Sequence, residues 1–316
     1  MFFKKEDSKF LYGIAIVLMI LHHLMGFPNR FSQEIVAVLP FEYQIGVFGK
    51  ICVGIYAFVT GYALLVNARV TIKENIAFVF NRIIGFYKKF WLVYIIFIPL
   101  GVFINKIDAP LNEYLYNFLG IKSTFNGEWW YIKWYVLMML MFPVIKQVMV
   151  WVETITSSKV YVACTVILVF ILRYFSPYLA LCFVGMLFKR HMLFEKLSVF
   201  KINERYPLLL SVVLMGIVIF VRTIKPTTKI DVFLVPVLVF ALINIRNAVD
   251  FNYRIIEKLG EFSVYIWLTH SFYMYHYFQE VVLLARYSVP AFLVTVLLSL
   301  ATAFALNTIH KKICDG

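Results

Sequence analysis

Apolar segments near the length of a membrane-spanning helix follow one another along the whole chain, separated by short polar breaks. A helix needs about twenty apolar residues to cross the bilayer core, which is about 30 Å thick. The segments therefore predict an all-α polytopic membrane protein with about ten transmembrane helices. They are Phe10–Phe27, Gln44–Val66, Ile83–Ile104, Trp130–Trp151, Val160–Leu172, Tyr178–Phe188, Tyr206–Val221, Val232–Ile245, Phe262–Leu284 and Pro290–Thr308. Val160–Leu172 and Tyr178–Phe188 are short, so we expect them to be tilted, extended into the interface or packed as a pair inside the bundle.

The composition agrees with a membrane protein. Of the 316 residues, 62% are hydrophobic and 15% are charged, whereas soluble domains are about half apolar and about a quarter charged. No small-residue cleavage site follows the first segment, so we expect no cleaved signal peptide there. Because no Gly- or Ser-rich linker divides the chain, we expect one transmembrane domain over residues 1–316, with no appended soluble domain.

The chain has a formal net charge of +13, and its Lys and Arg residues are concentrated in the predicted loops on one side of the membrane. If the amino terminus is inside, 20 Lys and Arg residues lie in loops on that side and 8 on the other, with Lys50 and Lys133 in or beside spans. The positive-inside rule then predicts that both termini are cytoplasmic. We expect a multi-pass protein of the cell membrane, a bacterial plasma membrane, whose basic loops contact anionic lipids. Since topology explains the charge, we expect no nucleic-acid partner.

The cysteines and the common soluble-enzyme motifs give no site. Cys52, Cys164 and Cys182 fall in apolar segments and Cys314 lies in the tail, so neither a disulfide framework nor a metal site is predicted. The sequence also has no phosphate-binding glycine loop and no nucleophile elbow. We therefore expect the chemistry to lie inside the helix bundle.

Two adjacent histidines in the first segment are candidates for that chemistry, because ionisable side chains are costly inside a membrane. His23 lies about 20 Å along the helix from Phe10 and shares a face with Tyr12, while His22 points about 100° away. Neutral imidazole can accept a proton near pH 7. The alternative is that His22 and His23 only pack or cap a helix end near the head groups.

A third candidate, His270, lies in a late segment that is predicted to begin at Phe262. It would be about 12 Å from the start of that helix, and thus about 8 Å away from His23 in height. His270 is either a base or nucleophile, or a structural residue that hydrogen-bonds to a neighbouring helix.

Five sequence blocks recur in the order and spacing of a known family. They are Gly13–His23, Cys52–Tyr62 with its Thr60-Gly61-Tyr62 end, the basic stretch Asn81–Trp91, Trp130–Tyr135 and Leu259–His270. Together they resemble the membrane acyltransferase 3 family, whose members O-acetylate carbohydrates, over residues 10 to about 280. The resemblance implies an acyltransferase in which His23 is a general base or a transient acyl carrier.

The chain departs from the family pattern at three positions. The family's first-helix Arg falls on Tyr12, and Lys9 is the cation on that face one turn earlier. In the basic stretch Arg82 matches, but the family's second Arg falls on Gly85 and its Pro on Lys88. These changes imply altered handling of the donor or the acceptor, or a divergent or inactive member.

The resemblance also implies a cytoplasmic acyl-CoA donor, expected to be acetyl-CoA, with no metal. Arg82, Lys88 and Lys89 are predicted at the cytoplasmic mouth of the third helix, where cations would bind the CoA phosphates. Lys9 and Tyr12 are further candidates for the donor site. The alternative for the three basic residues is ordinary positive-inside charge.

The expected acceptor is a cell-surface or lipid-linked carbohydrate on the outer side. Its candidate ligands are Glu128, Trp130, Lys133, Trp134 and Lys50. The tryptophans could equally form an interfacial aromatic belt, and Lys50 could pair with Glu128 or Glu42 or snorkel to the surface.

Two other functions compete with acyl transfer. A transporter or flippase for a lipid-linked sugar or small anion would also have buried polar groups, but the sequence has no inverted repeat or paired broken helices. A glycan polymerase would need a larger outer loop than Asn105–Trp129. Acyl transfer is therefore the preferred hypothesis.

Overall fold

The computed structural model describes residues 3–198 and 206–314, and in this part helices predominate. Lys201 and Arg205, which the loop charge count includes, lie outside the described residues. The helices are α1 (Lys5–Met25), α2 (Glu42–Gly49), α3 (Cys52–Val66), α4 (Ile72–Phe103), α5 (Leu111–Phe118), α6 (Ile132–Ile155), α7 (Ser158–Phe175), α8 (Pro177–Arg190), α9 (Leu193–Ser198), α10 (Tyr206–Ile224), α11 (Asp231–Ala248), α12 (Arg254–Ser271), α13 (Gln279–Leu283) and α14 (Ser288–Cys314). The described residues form no β-sheet, so the all-α fold is confirmed.

Seven helical stretches in the described part are long and apolar enough to cross a membrane. They are Lys5–Met25, Glu42–Val66, Ile72–Phe103, Gly127–Ile155, Ser158–Phe175, Thr228–Ala248 and Ser288–Ile313. A polytopic membrane protein fits this arrangement. The predicted number of about ten spans stays a prediction, because α8, α10 and α12 fall short of the same length or hydropathy.

Helices α1 and α12 are parallel and closely packed. Gly13 and Gly260 face each other so closely that a Cβ on Gly260 would lie 1.8 Å from the Lys9 carbonyl oxygen. Ten residues further along each helix, the rings of His23 and His270 lie side by side. The two glycines therefore set the contact that brings the histidines together.

The beginning of α1 and the end of α14 lie at the same end of the bundle. Helix α14 runs antiparallel to α12, since Tyr273 bonds to Thr302 whereas Tyr265 packs against His310. The end where α1 begins and α14 ends is called the terminal end, and the opposite one the far end. The assignment of the terminal end to the cytoplasm stays a prediction.

The third predicted span begins earlier than its hydropathy indicates. Helix α4 starts at Ile72, about three turns before the predicted Ile83. The Thr71 side chain accepts from the Glu74 backbone N–H, and the Glu74 carboxylate accepts from Thr71 N at 3.0 Å. This capping box stabilises a polar first turn that hydropathy does not detect. The prediction that Arg82 lies at the mouth of the helix is therefore wrong.

Two other predicted spans are interrupted. Gln44–Val66 forms α2 and α3, which meet at Lys50 and Ile51. Phe262–Leu284 is not continuous either: α12 is followed by a π-helical turn, Phe272–His276, and then by α13. Both interruptions lie in the far half of the bundle. Side chains from them, Lys50 at the first and Tyr275 and His276 at the second, line a central cavity.

Candidate active site

A cavity of about 730 Å³ lies among α1, α3, α4, α6, α8 and α12. Along α1 its lining extends from Tyr12 to His23, which is about 17 Å by helical rise. The cavity therefore extends along much of α1. It connects the terminal half of the bundle with the far half.

A short 3₁₀ helix, Gly127–Tyr131, lines the far half of the cavity and is fixed to α12. Trp129 Nε1 donates to the Leu268 carbonyl at 3.1 Å, and Trp267 Nε1 donates to the Glu128 carbonyl at 3.0 Å. Both indoles thereby have an acceptor for their buried N–H groups. These bonds hold the Glu128 side chain toward α1.

Glu128 connects His23 with Arg30. His23 Nε2 lies 3.2 Å from Glu128 Oε2, and Arg30 Nη1 lies 2.8 Å from Glu128 Oε1. Both His23 and Glu128 are buried, whereas Arg30 is half-exposed. The arginine compensates the buried carboxylate, which can then accept a hydrogen bond from Nε2–H and leave His23 Nδ1 as the basic nitrogen. Nδ1 has no hydrogen-bond partner among the described residues.

His270 packs against His23, with ring centroids 5.1 Å apart. The predicted height difference of about 8 Å is wrong, because α12 begins at Arg254 and not at Phe262. His270 Nδ1 lies 2.8 Å from the Trp267 carbonyl, which can only accept, so that nitrogen carries the proton. The Tyr275 hydroxyl donates to the His23 carbonyl at 2.5 Å, and the Tyr275 ring also packs edge-on against the His23 imidazole.

His22 also lines the cavity but has different contacts. Its Nδ1 lies 2.6 Å from the carbonyl oxygen of Gly46, which positions α2 against α1. No carboxylate is within ion-pair distance of His22 in the described part of the chain. The structure thus distinguishes His23, which has an acidic partner, from His22, which is anchored on backbone.

The terminal half of the cavity holds a cation among aromatic side chains. Arg82 lines it and interacts with Tyr135 from α6. Tyr12 lines the same region, with its ring stacked on that of Tyr56 at 5.1 Å. Arg82 is therefore inside the bundle, about 15 Å from the beginning of α4, and not on its surface.

Several predicted site residues do not meet at the cavity. Lys88 is exposed, Lys89 lies over the Tyr265 ring, Lys9 pairs with Glu261 at 3.4 Å, and Lys133 is exposed beside Trp134. By contrast, the lining includes His22, His23, Tyr12, Lys50, Arg82, Glu128 and Trp130. His270 contacts this group through the ring of His23.

The sequence analysis missed Arg30, Tyr275 and His276, all of which line the cavity. Arg30 falls in a predicted outer loop, so only the fold shows that it reaches Glu128. Tyr275 and His276 belong to the π-helical turn, whose geometry a uniform helix would not reproduce. Of these three residues, only His276 has a signal in the sequence, because it is a histidine within a predicted apolar segment.

The histidines and carboxylates of the site do not make a metal centre. Among residues 3–198 and 206–314, no group of three or more His, Cys, Asp or Glu side chains could hold a metal ion. The chemistry that the cavity supports is proton transfer by a histidine with an acidic partner.

Comparison with known proteins identifies one match. Residues 10–308, nearly the whole chain, match the family model of the acyltransferase 3 family, described as an acyltransferase domain. Neither the search of curated proteins nor the search of solved structures gave a match.

Proposed function

Since the chain belongs to the acyltransferase 3 family and is thus a membrane acyltransferase, we propose that it moves an acetyl group from cytoplasmic acetyl-CoA to a hydroxyl of a cell-surface or lipid-linked carbohydrate. The observation that carries this proposal is the cavity, which joins Arg82 in one half of the bundle to His23 and Glu128 in the other. In this proposal the donor and the acceptor approach His23 from opposite halves of the bundle.

The donor enters at the terminal end in this proposal. The thioester arm of acetyl-CoA is an extended chain, and the cavity extends along much of α1. Arg82 is the cation that the arm meets first, and it can donate to carbonyl or phosphate oxygens. Lys88 and Lys89 do not line the cavity, so we no longer assign them to the donor arm.

Acyl transfer takes place at His23 in this proposal. His23 Nδ1 accepts the proton of the acceptor hydroxyl, the hydroxyl oxygen attacks the thioester carbonyl, and the carbon–sulfur bond breaks. The proton then passes to the departing thiolate, so the histidine is regenerated. Glu128 stabilises the imidazolium that forms between these steps, and Arg30 offsets the charge of the carboxylate.

His23 could alternatively carry the acyl group for a short time. Either role requires Nδ1 to become accessible to the substrates, because Nε2 is engaged by Glu128 and Nδ1 is buried among neighbouring side chains. Acceptor binding in the far half would use the ring of Trp130, which lines the cavity, as a stacking surface for a sugar.

The proposal is tested with purified protein in lipid nanodiscs. Acetyl-CoA should bind, and binding should weaken as salt rises, because salt screens contacts between charges. Arg82→Ala should weaken binding about tenfold or more, the size expected for loss of a charged hydrogen bond. Lys88→Ala, a change to an exposed cation on the same helix, is the matched control and should bind normally.

The product is detected by mass spectrometry of surface glycans incubated with the protein and acetyl-CoA. We expect an alkali-labile mass gain of one acetyl group. If acetyl-CoA is neither bound nor consumed, the proposal is wrong and transport of a lipid-linked sugar or small anion takes its place.

A further inference from the structure

The charges that line the cavity do not balance. Arg30, Lys50 and Arg82 are cationic, whereas Glu128 is the one carboxylate in the described lining. Glu128 is already engaged by Arg30 at 2.8 Å and by His23 at 3.2 Å. One uncompensated cation therefore remains in each half, Arg82 in the terminal half and Lys50 in the far half.

Lys50 is fixed at the level of the histidines. It lies where α2 meets α3, directly after Gly49, whose Cβ position would be 2.5 Å from the Leu18 carbonyl oxygen and 3.1 Å from His22. Only glycine permits this close approach of the α2–α3 junction to α1. Lys50 is half-buried and lines the cavity beside His22.

The carboxylates expected to pair with Lys50 are used elsewhere. Glu42 accepts hydrogen bonds from the backbone of Val38 and Leu39 and from Ser288. Glu128 has the partners given above. Within residues 3–198 and 206–314, Lys50 makes no ion pair and its ammonium no hydrogen bond. A cation within a spanning helix is costly unless it is paired or solvated, and it marks a substrate path.

We propose that Lys50 binds an anionic group of the acceptor, so that the substrate class is an acidic carbohydrate bearing a carboxylate or a phosphate. This inference rests on the proposed function and adds the charge of the acceptor to it. A neutral sugar leaves the ammonium unpaired, whereas an anion gives it a charge-assisted hydrogen bond. The ammonium then holds the acceptor on the α3 wall, beside the His22–His23 pair of α1.

The test compares three soluble acceptors that differ only at C6: methyl glucoside, methyl glucuronide and methyl glucoside 6-phosphate. With acetyl-CoA as donor, at least one anionic acceptor should have a KM about tenfold or more below that of the neutral one, with similar kcat. The two anionic acceptors show whether the site prefers carboxylate or phosphate. Lys50→Met should remove the preference, and Lys50→Arg should retain it.

Lys106→Met is the matched control, since Lys106 is exposed beyond the end of α4 and does not line the cavity. It should keep the wild-type preference. Equal use of the three acceptors by the wild type would overturn the inference and leave the proposed function intact. An equal loss with all three acceptors in Lys50→Met would also overturn it, because Lys50 would then serve the common chemical step.

Binding is measured separately through the Tm of the nanodisc protein, without acetyl-CoA. An anionic glycoside should raise the Tm of the wild type and not that of Lys50→Met. If this shift occurs without any acetyl transfer, the inference stands and the proposed function fails. If no anionic glycoside raises the Tm and none is preferred in transfer, the inference is wrong.

Discussion

At the scale of single residues, the contacts of His23 and His22 lead to opposite expectations. His23 has a carboxylate partner, Glu128, and packs against His270, whereas His22 bonds to a backbone carbonyl. We expect His23→Ala to lower acetyl transfer at least about a hundredfold, the usual contribution of a general base, while His22→Ala retains substantial activity. Acetyl-CoA consumption by the purified variants measures both.

A conservative variant separates proton transfer from hydrogen bonding. His23→Gln should remain inactive, because glutamine can hydrogen-bond to Glu128 but cannot accept a proton near pH 7. The Tm of each variant shows whether the protein is still folded. An inactive His22→Ala beside an active His23→Ala would reverse the assignment. Full activity in both variants would move the role of base to His270.

At the scale of helices, the α1–α12 contact sets the distance between His23 and His270. Gly260→Ala would place a Cβ 1.8 Å from the Lys9 carbonyl, so the helices must separate. We expect a loss of about 1–3 kcal/mol in stability, as in other overpacked contacts, together with reduced transfer. Gly216→Ala, in α10 with nothing near its Cβ position, is the control and should not lower the Tm, because Ala is the better helix former. An unchanged Tm and activity in Gly260→Ala would contradict this role.

Helix positions were predictable from hydropathy, but several helix boundaries were not. The predicted spans overlap the observed helices, because apolar stretches of this length are stable only as buried or lipid-facing helices. Helix α12, however, begins at Arg254, where Arg246 of α11 bonds to Glu257 at 2.6 Å and to Asp7 of α1 at 2.6 Å. Hydropathy scores such a polar first turn as a loop, and only the tertiary contact shows that it is helical.

The same limit explains which parts of the site were predictable. His23 and Lys50 stand out because polar residues in apolar segments are rare. Arg82 was selected from the basic stretch that resembles the family's, and Glu128 as a polar group on the predicted outer side. Their arrangement depends on how α1, α4 and α6 pack, and the sequence carries no local signal for it. The approach of Arg30 to Glu128 likewise depends on the course of a loop.

At the scale of the whole molecule, the two halves of the cavity imply a sided reaction. Arg82 lies in the terminal half, and His23 with Glu128 lies in the far half. The loop charges predict that the terminal end is cytoplasmic. Reporter fusions after Arg69 should therefore read cytoplasmic, and fusions near Asn117 and Thr227 extracytoplasmic. An inverted reading at either side would contradict the helix assignment.

Sidedness can be measured directly in sealed proteoliposomes, after protease access to a carboxy-terminal tag has given the orientation. Acetyl-CoA supplied at the terminal end should support transfer to a glycan at the far end, because in the proposed mechanism the donor arm passes Arg82 before it reaches His23. Acetyl-CoA supplied only at the far end should give no product, since its charged nucleotide cannot cross the lipid to the terminal end. Permeabilised vesicles should regain activity from either side. Equal rates from the two sides of sealed vesicles would show that the donor does not follow the cavity.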